Sequence, residues 1–134
     1  MKRLYISRAR AKKRKFTIQT EATIRSILES AGFQTVFLED LTWTEQAHIV
    51  SGAEIIVGLH GAGLANILFA KARLLIEFQN PLESRSYFAL MARELNMSYA
   101  YVIGTLQGHS SNYDNIVIDP GALKDVLHRL NLDS

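Results

Sequence analysis

Short apolar, β-branched runs alternate along this chain with longer stretches of helical period, and that alternation constrains the fold more than any other feature. The strand candidates are Leu4-Tyr5-Ile6, Val36-Phe37-Leu38, Ile55 to Leu59, Leu74 to Phe78 and Tyr99 to Ile103. Between the first two, Thr20 is placed to cap a helix whose apolar positions Ile24, Ile27, Leu28 and Ala31 share one face, with Gly32 as the stop. Thr42 or Thr44 opens a second helix through Gln46, Ile49 and Val50, ending near Gly52. A third is expected from Leu64 to about Ala70, and a fourth near Arg85 to Leu95 with Tyr87, Phe88, Leu90, Met91 and Leu95 on or near its buried face. The polar stretch Gln107 to Asn115 reads as a mobile or ligand-facing loop. It precedes a short strand, Ile116-Val117-Ile118, and a terminal helix with Pro120 in its first turn and Leu123, Val126, Leu127 and Leu130 along it. Strands separated by helices require right-handed crossovers, hence an α/β fold: a three-layer, Rossmann-like parallel sheet. With no repeat and no low-complexity linker, residues 1–134 read as a single domain.

Composition narrows the function classes. A chain of 134 residues buries roughly two-thirds of its unfolded surface, enough for a core without staples. The absence of cysteine excludes disulfides, a thiol nucleophile and Cys-ligated metal. His48, His60, His109 and His128 show no metal-binding spacing, so no metal site is expected. No apolar run reaches the ~18 residues of a membrane span and the start lacks a signal-peptide core, so nothing here is expected to cross a membrane by itself; on a bacterial reading the expected location is cytoplasmic or membrane-associated. The net charge of +2 conceals an asymmetry. Eight basic residues and no acid fall within positions 1–15, leaving the remainder acidic with a net charge of −6.

Ligands of parallel sheets bind beyond the carboxyl ends of the strands, so the segments after Ile6, Leu59 and Phe78 are the informative ones. Gly58-Leu59-His60-Gly61-Ala62-Gly63-Leu64-Ala65-Asn66 follows an apolar strand and opens a helix. Small residues there let backbone N–H groups approach a diphosphate, although two glycines alone also make a plain tight turn. His60, at the strand end, can donate to phosphate or act as acid or base. Ser7-Arg8, followed by Arg10, Lys12, Lys13, Arg14 and Lys15, puts guanidinium groups beside the same edge, Arg8 nearest. The lysines read equally as a solvated charge run. Glu77 can accept from ribose or sugar hydroxyls or be a simple strand-end carboxylate. Glu21 is accounted for by capping and the helix dipole, although it can also face the cleft. Trp43 and Phe33 read as core or rim aromatics, and Tyr87 as the aromatic placed to touch a base or sugar.

The order Ile6-Ser7-Arg8, Thr20-Glu21, Ala31-Gly32-Phe33, Leu38-Glu39, Glu45-Gln46, Gly58 to Asn66 and Ile76-Glu77 resembles the carboxyl-terminal half of glycosyltransferase family 61. The likeness extends through Tyr87 to Ser111-Asn112-Tyr113-Asp114-Asn115-Ile116-Val117; where the family shows Asn-Glu, this chain has Thr20-Glu21. The resemblance implies the donor-binding half of a GT-B enzyme, in which two Rossmann-like halves face a cleft. Such an enzyme transfers a sugar with inversion from a nucleotide donor, usually a UDP-sugar, without an obligatory metal or other cofactor, as in capsular or exopolysaccharide synthesis. By position, Ser7, Arg8, Arg14 and the turn Gly61, Ala62, Gly63, Leu64 would meet the diphosphate. Asn66 would support the turn, Glu77 would lie near the ribose or sugar, and His60 would be the catalytic candidate. The implied partners are the nucleotide-sugar donor, a glycan or protein acceptor and a missing N-terminal half-domain. The lysine cluster is left to steer donors, or to contact the missing half or an acidic membrane surface. If Arg8 and His60 serve one diphosphate, the first and third strands must be neighbours, giving the sheet order 2-1-3-4-5. Two other readings compete. One is a stand-alone nucleotide- or polyanion-binding module without catalysis; nucleic acid is disfavoured as its ligand, because the rest of the domain is acidic and carries no recognition element. The other is a hydrolase, ranked last for want of a Gly-x-Ser-x-Gly elbow.

Overall fold

The computed structural model describes residues 2–59, 71–81 and 87–133. Five parallel strands form one sheet in the order β2-β1-β3-β4-β5: β1 Arg3–Ile6, β2 Phe33–Val36, β3 Ile55–Leu59, β4 Leu74–Gln79 and β5 Ser98–Ile103. This is the order inferred from placing Arg8 and His60 on one ligand. The register runs level across the sheet, with Ile6 opposite both Val36 and Gly58, Gly58 opposite Glu77, and Glu77 opposite Tyr101.

Both faces of the sheet are covered, which is why its central strands are apolar at successive positions rather than at alternate ones. Tyr5, Val57, Ile76 and Phe78 pack with Ile24 and Leu28 of α1 (Ile18–Ser30) and Leu123 and Leu127 of α4 (Pro120–Arg129). On the opposite face Leu4, Ile6, Ile56 and Leu75 pack with Val50 of α2 (Trp43–Ser51) and with Phe88 and Ala92 of α3 (Tyr87–Glu94). Burial of each Ile or Leu contributes about 1.5–3 kcal/mol.

Local chemistry sets the element ends, in places differently from the sequence expectation. Thr17, not Thr20, caps α1: its hydroxyl accepts from the Thr20 N–H, and Thr20 is buried in the first turn. Gly32, at φ +85°, closes that helix, a conformation that strains any residue with a Cβ. The chain therefore enters β2 at once, at Phe33, instead of at Val36, and Leu38 falls in a 3-10 turn, Leu38–Asp40. Of the two threonines offered for α2, Thr42 caps it, through a reciprocal capping box with Glu45. In α3 the inward face is Phe88, Met91 and Ala92, three or four residues apart, whereas Tyr87 and Leu90 are exposed, as is Leu95 just beyond the helix end.

The stretch 107–115 is tied down rather than loose. Asn115 donates to the Gln107 and Gly108 carbonyls, and the Asn112 and Tyr113 carbonyls accept from the Arg14 and Lys15 N–H groups. The segment is flanked by two short antiparallel strands, β6 (Thr105–Leu106) and β7 (Ile116–Val117), of which β7 lies where a strand was expected. Gly104 permits this hairpin, since a Cβ there would sit 2.8 Å from the Val117 carbonyl oxygen. Gly104→Ala is accordingly expected to cost about 1–3 kcal/mol, read as a lowered urea midpoint with unchanged slope; an unshifted midpoint would refute the close approach.

Candidate functional site

β1 and β3 are hydrogen-bonded neighbours, so the chain leaves Ile6 and Leu59 from adjacent positions on one edge of the sheet. His60, Gly61, Ala62, Gly63, Leu64 and Asn66, like the helix expected from Leu64 to about Ala70, lie outside the described residues. Ser7, Arg8, Arg14 and Glu77 lie within them.

Ser7 is fully buried and extends β1 by one bond, its N–H donating to the Val36 carbonyl at 2.9 Å. Its hydroxyl accepts from the Ala9 N–H at 3.1 Å and donates to one carboxylate oxygen of Glu21. The other Glu21 oxygen accepts from the Tyr5 hydroxyl at 2.7 Å. Glu21 thus bolts the first turn of α1 to the end of β1. Sequence reasoning favoured capping and the helix dipole for this residue while allowing it to face the cleft; it does lie in the first turn of α1, but the cap is Thr17. The signal available was the spacing of two hydroxyls, Tyr5 and Ser7, on the same face of a strand that a following helix must cover. Burial and the neighbouring Glu21 push the Tyr5 phenol far above its ordinary range.

The basic segment 8–15 is an excursion pinned at both ends by buried residues, Ser7 and Phe16, the latter with its ring 5.4 Å from that of Phe78. Arg8 folds it: Nε donates to the Arg14 carbonyl at 2.8 Å and Nη2 to the Lys13 carbonyl at 3.0 Å. Arg14 takes a left-handed backbone, φ 54°, to turn its carbonyl toward Arg8. Arg10 reaches outward to pair with Asp40, its guanidinium 4.0 Å from the centre of the Phe37 ring. The structure brings Ser7, Arg8 and Arg14 together at the end of β1, Arg8 as the clasp of the loop.

Glu77 sits elsewhere. It is fully buried on the α2/α3 face of the sheet, opposite the face that carries Ser7 and Glu21. Its Oε1 accepts from the Tyr99 hydroxyl and, at 3.1 Å, from Gln79 Nε2, which also donates to the Tyr99 oxygen at 3.0 Å. Burial, with Glu77 beside it, raises the Tyr99 phenol well above its usual value. On the side of β4 toward β1, Glu77 is level with Gly58, which adds no side chain to that face. Trp43 and Tyr87, the rim aromatics, are both exposed, whereas Phe33 is buried in the core. Among the described residues no group of three or more His, Cys, Asp or Glu is arranged to hold a metal ion.

The family model described as Glycosyltransferase 61 matches residues 1–76, which takes in β1, α1, β2, α2 and β3. No curated protein matches the chain significantly.

Two measurements test the Tyr5–Glu21–Ser7 bridge. Glu21→Ala leaves two hydroxyls without their acceptor and is expected to cost about 2–4 kcal/mol in chemical denaturation; a loss below about 0.5 kcal/mol would refute the bridge. Because the folded-state pKa of Tyr5 lies above its unfolded value of about 10, its contribution is complete below that pH and declines above it, by about 1.4 kcal/mol per pH unit. Tyr5→Phe should flatten this alkaline slope, and an unaltered slope would contradict the assignment.

Proposed function

The chain belongs to glycosyltransferase family 61, and we propose that it is the donor-binding half of a two-domain enzyme that transfers a sugar, with inversion, from a nucleoside diphosphate, UDP being the first candidate. The observation that carries this reading is the adjacency of β1 and β3. It puts the ends of the two strands, after which Ser7-Arg8 and His60 to Leu64 follow in the sequence, side by side, as sharing one diphosphate would require. Had another strand separated them, the two could not have shared a ligand.

In the proposed reaction the acceptor hydroxyl oxygen attacks the anomeric carbon while the bond from that carbon to the diphosphate oxygen breaks. The leaving nucleoside diphosphate takes the bonding electron pair, and a base takes the hydroxyl proton. Charge therefore grows on the phosphates, and fixed donors aimed there lower the barrier. Arg8 is suited to this role, since the Lys13 and Arg14 carbonyls set its guanidinium in place beforehand and limit the ordering that binding requires. His60 and the backbone N–H groups of Gly61 to Leu64 would complete the cradle, with Asn66 supporting the turn and no metal required. Glu77, on the other face, would act on the ribose or sugar, and its bonds to Tyr99 and Gln79 would fix the carboxylate. The other half-domain would supply the acceptor site and the base. A place in capsular or exopolysaccharide synthesis, in the cytoplasm, fits this chemistry.

Calorimetry with UDP is the test. Wild-type protein should bind, and Arg8→Ala and His60→Ala should each weaken binding about tenfold or more, the worth of a hydrogen bond to a charged group. Absence of nucleotide binding, or affinity indifferent to both substitutions, would overturn the proposal.

A further inference from the structure

β5 closes one side of the sheet and pairs only with β4. In a parallel ladder each residue turns both its backbone groups toward the same side, and the side alternates along the strand. The Ser98 N–H donates to the Arg73 carbonyl at 2.8 Å and the Gly104 N–H to the Gln79 carbonyl at 2.7 Å, so Ser98, Ala100, Val102 and Gly104 face β4. Tyr99, Tyr101 and Ile103 therefore turn N–H and C=O outward, and among the described residues these groups have no backbone partner. The side chains of Tyr101 and Ile103 stand beside them, 53% and 52% exposed. β6 and β7 lead the chain back to Phe16 and leave this edge open. The opposite edge, β2, is only four residues long and is fenced by charge. Thr35 donates to Glu29, which Arg25 also binds, and the guanidinium groups of Arg10 and Arg25 lie over the Phe37 ring just beyond the strand. Short length and charge are what keep an edge strand from pairing with another chain. β5, Ser98-Tyr99-Ala100-Tyr101-Val102-Ile103, has six residues with no charge, no proline and no bulge, in a chain that is 21% charged.

We propose that β5 pairs antiparallel with β5 of a second copy of this chain, about a two-fold axis at Tyr101, joining the two sheets into one. In that register Tyr101 meets its own counterpart and Tyr99 meets the counterpart of Ile103, so every outward N–H and C=O group of the strand finds a partner. Tyr99 with Ile103 is an aromatic and β-branched pair, a favourable combination across strands, and Ala100 meets Val102 on the other face. A two-fold axis sets a surface against itself, so any charge on it meets its own sign, and β5 carries none to repel. A strand of a different protein would be selected by side chains along the edge that distinguish it, and β5 supplies no charge to do so. The other half-domain of the proposed enzyme would face the carboxyl ends of the strands, not this flank. The inference does not rest on glycosyl transfer.

Sedimentation equilibrium of the full chain, carried up to about 1 mM so that even millimolar association shows, should reach twice the 15.1 kDa of one chain. Over the same range, amide hydrogen exchange at Tyr99, Tyr101 and Ile103 should slow together as concentration rises, while Ala100 and Val102 are protected throughout. Tyr101→Pro removes an outward N–H and no bond to β4, and should weaken dimerisation at least about tenfold. Tyr101→Lys keeps that N–H, sets like charges face to face, and should weaken it as much with wild-type circular dichroism. Because the chain has no cysteine, Tyr101→Cys reports the axis. Facing residues of an antiparallel pair lie within disulfide reach, so its oxidised dimer should be covalent. A monomer at every concentration, a dimer that both Tyr101→Pro and Tyr101→Lys leave intact, or exchange at Tyr99, Tyr101 and Ile103 that ignores concentration would each overturn the proposal. So would a Tyr101→Cys protein that dimerises without cross-linking.

Discussion

A parallel strand can pair with its neighbour only after the chain has returned to the starting end of the sheet, and in this protein the placement of every candidate group follows from that. The β1-α1-β2 crossover sends the chain outward on one side of β1. The next crossover, through α2, brings it back past β1 to pair on the other side as β3. β1 therefore lies between its two successors, and the direction of winding reverses beside it. Such a reversal leaves the loops after β1 and β3 on opposite sides of a shared gap, the crevice in which α/β sheets bind ligands. Residues far apart in sequence, Ser7 and Leu59, end adjacent strands because of this winding alone.

Around that gap the polar groups are held by packing before any ligand arrives. Glu21 joins β1 to α1 through two hydroxyls, and Phe16 seats the far end of the basic loop on Phe78. Within the loop, Arg8 spans to the carbonyls of Lys13 and Arg14. On the opposite face Glu77, Gln79 and Tyr99 form a second hydrogen-bonded set. Carboxylates that accept two hydroxyl or amide donors are restrained in position, and a site built from restrained groups reorganises little on binding. The sheet thus divides its polar groups between two faces, the Ser7–Glu21 set at the end of β1 and the Glu77 set on β4.

The sheet order was legible from the sequence because the strands are short apolar runs and because one functional idea, a shared diphosphate, demanded that the first and third be neighbours. Thr42, Gly32, Gly52 and Pro120 marked helix ends through chemistry that acts locally. What escaped was non-local. Thr20 was the cap expected from sequence, but it is buried within the first turn and Thr17 caps the helix instead. Glu21 is the helix-start acid it looked like, but nothing in its own segment reveals that it also accepts from Tyr5 and Ser7. The ties of the polar stretch 107–115, read as mobile or ligand-facing, could not be seen because the N–H groups of Arg14 and Lys15 that hold it lie about a hundred residues earlier. Arg8 read as an open cation, since its binding to its own loop depends on the left-handed turn at Arg14.

The central claim is that the gap between β1 and β3 receives a nucleoside diphosphate. Amide chemical shifts followed by NMR during titration with UDP address it most directly. The account predicts perturbations concentrated at Ser7, Arg8 and Ala9 and from Leu59 through Leu64. Perturbations centred instead on the groove between α1 and α4, lined by Ser26, Ser30 and Lys124, would contradict it, as would a spectrum that UDP leaves unchanged.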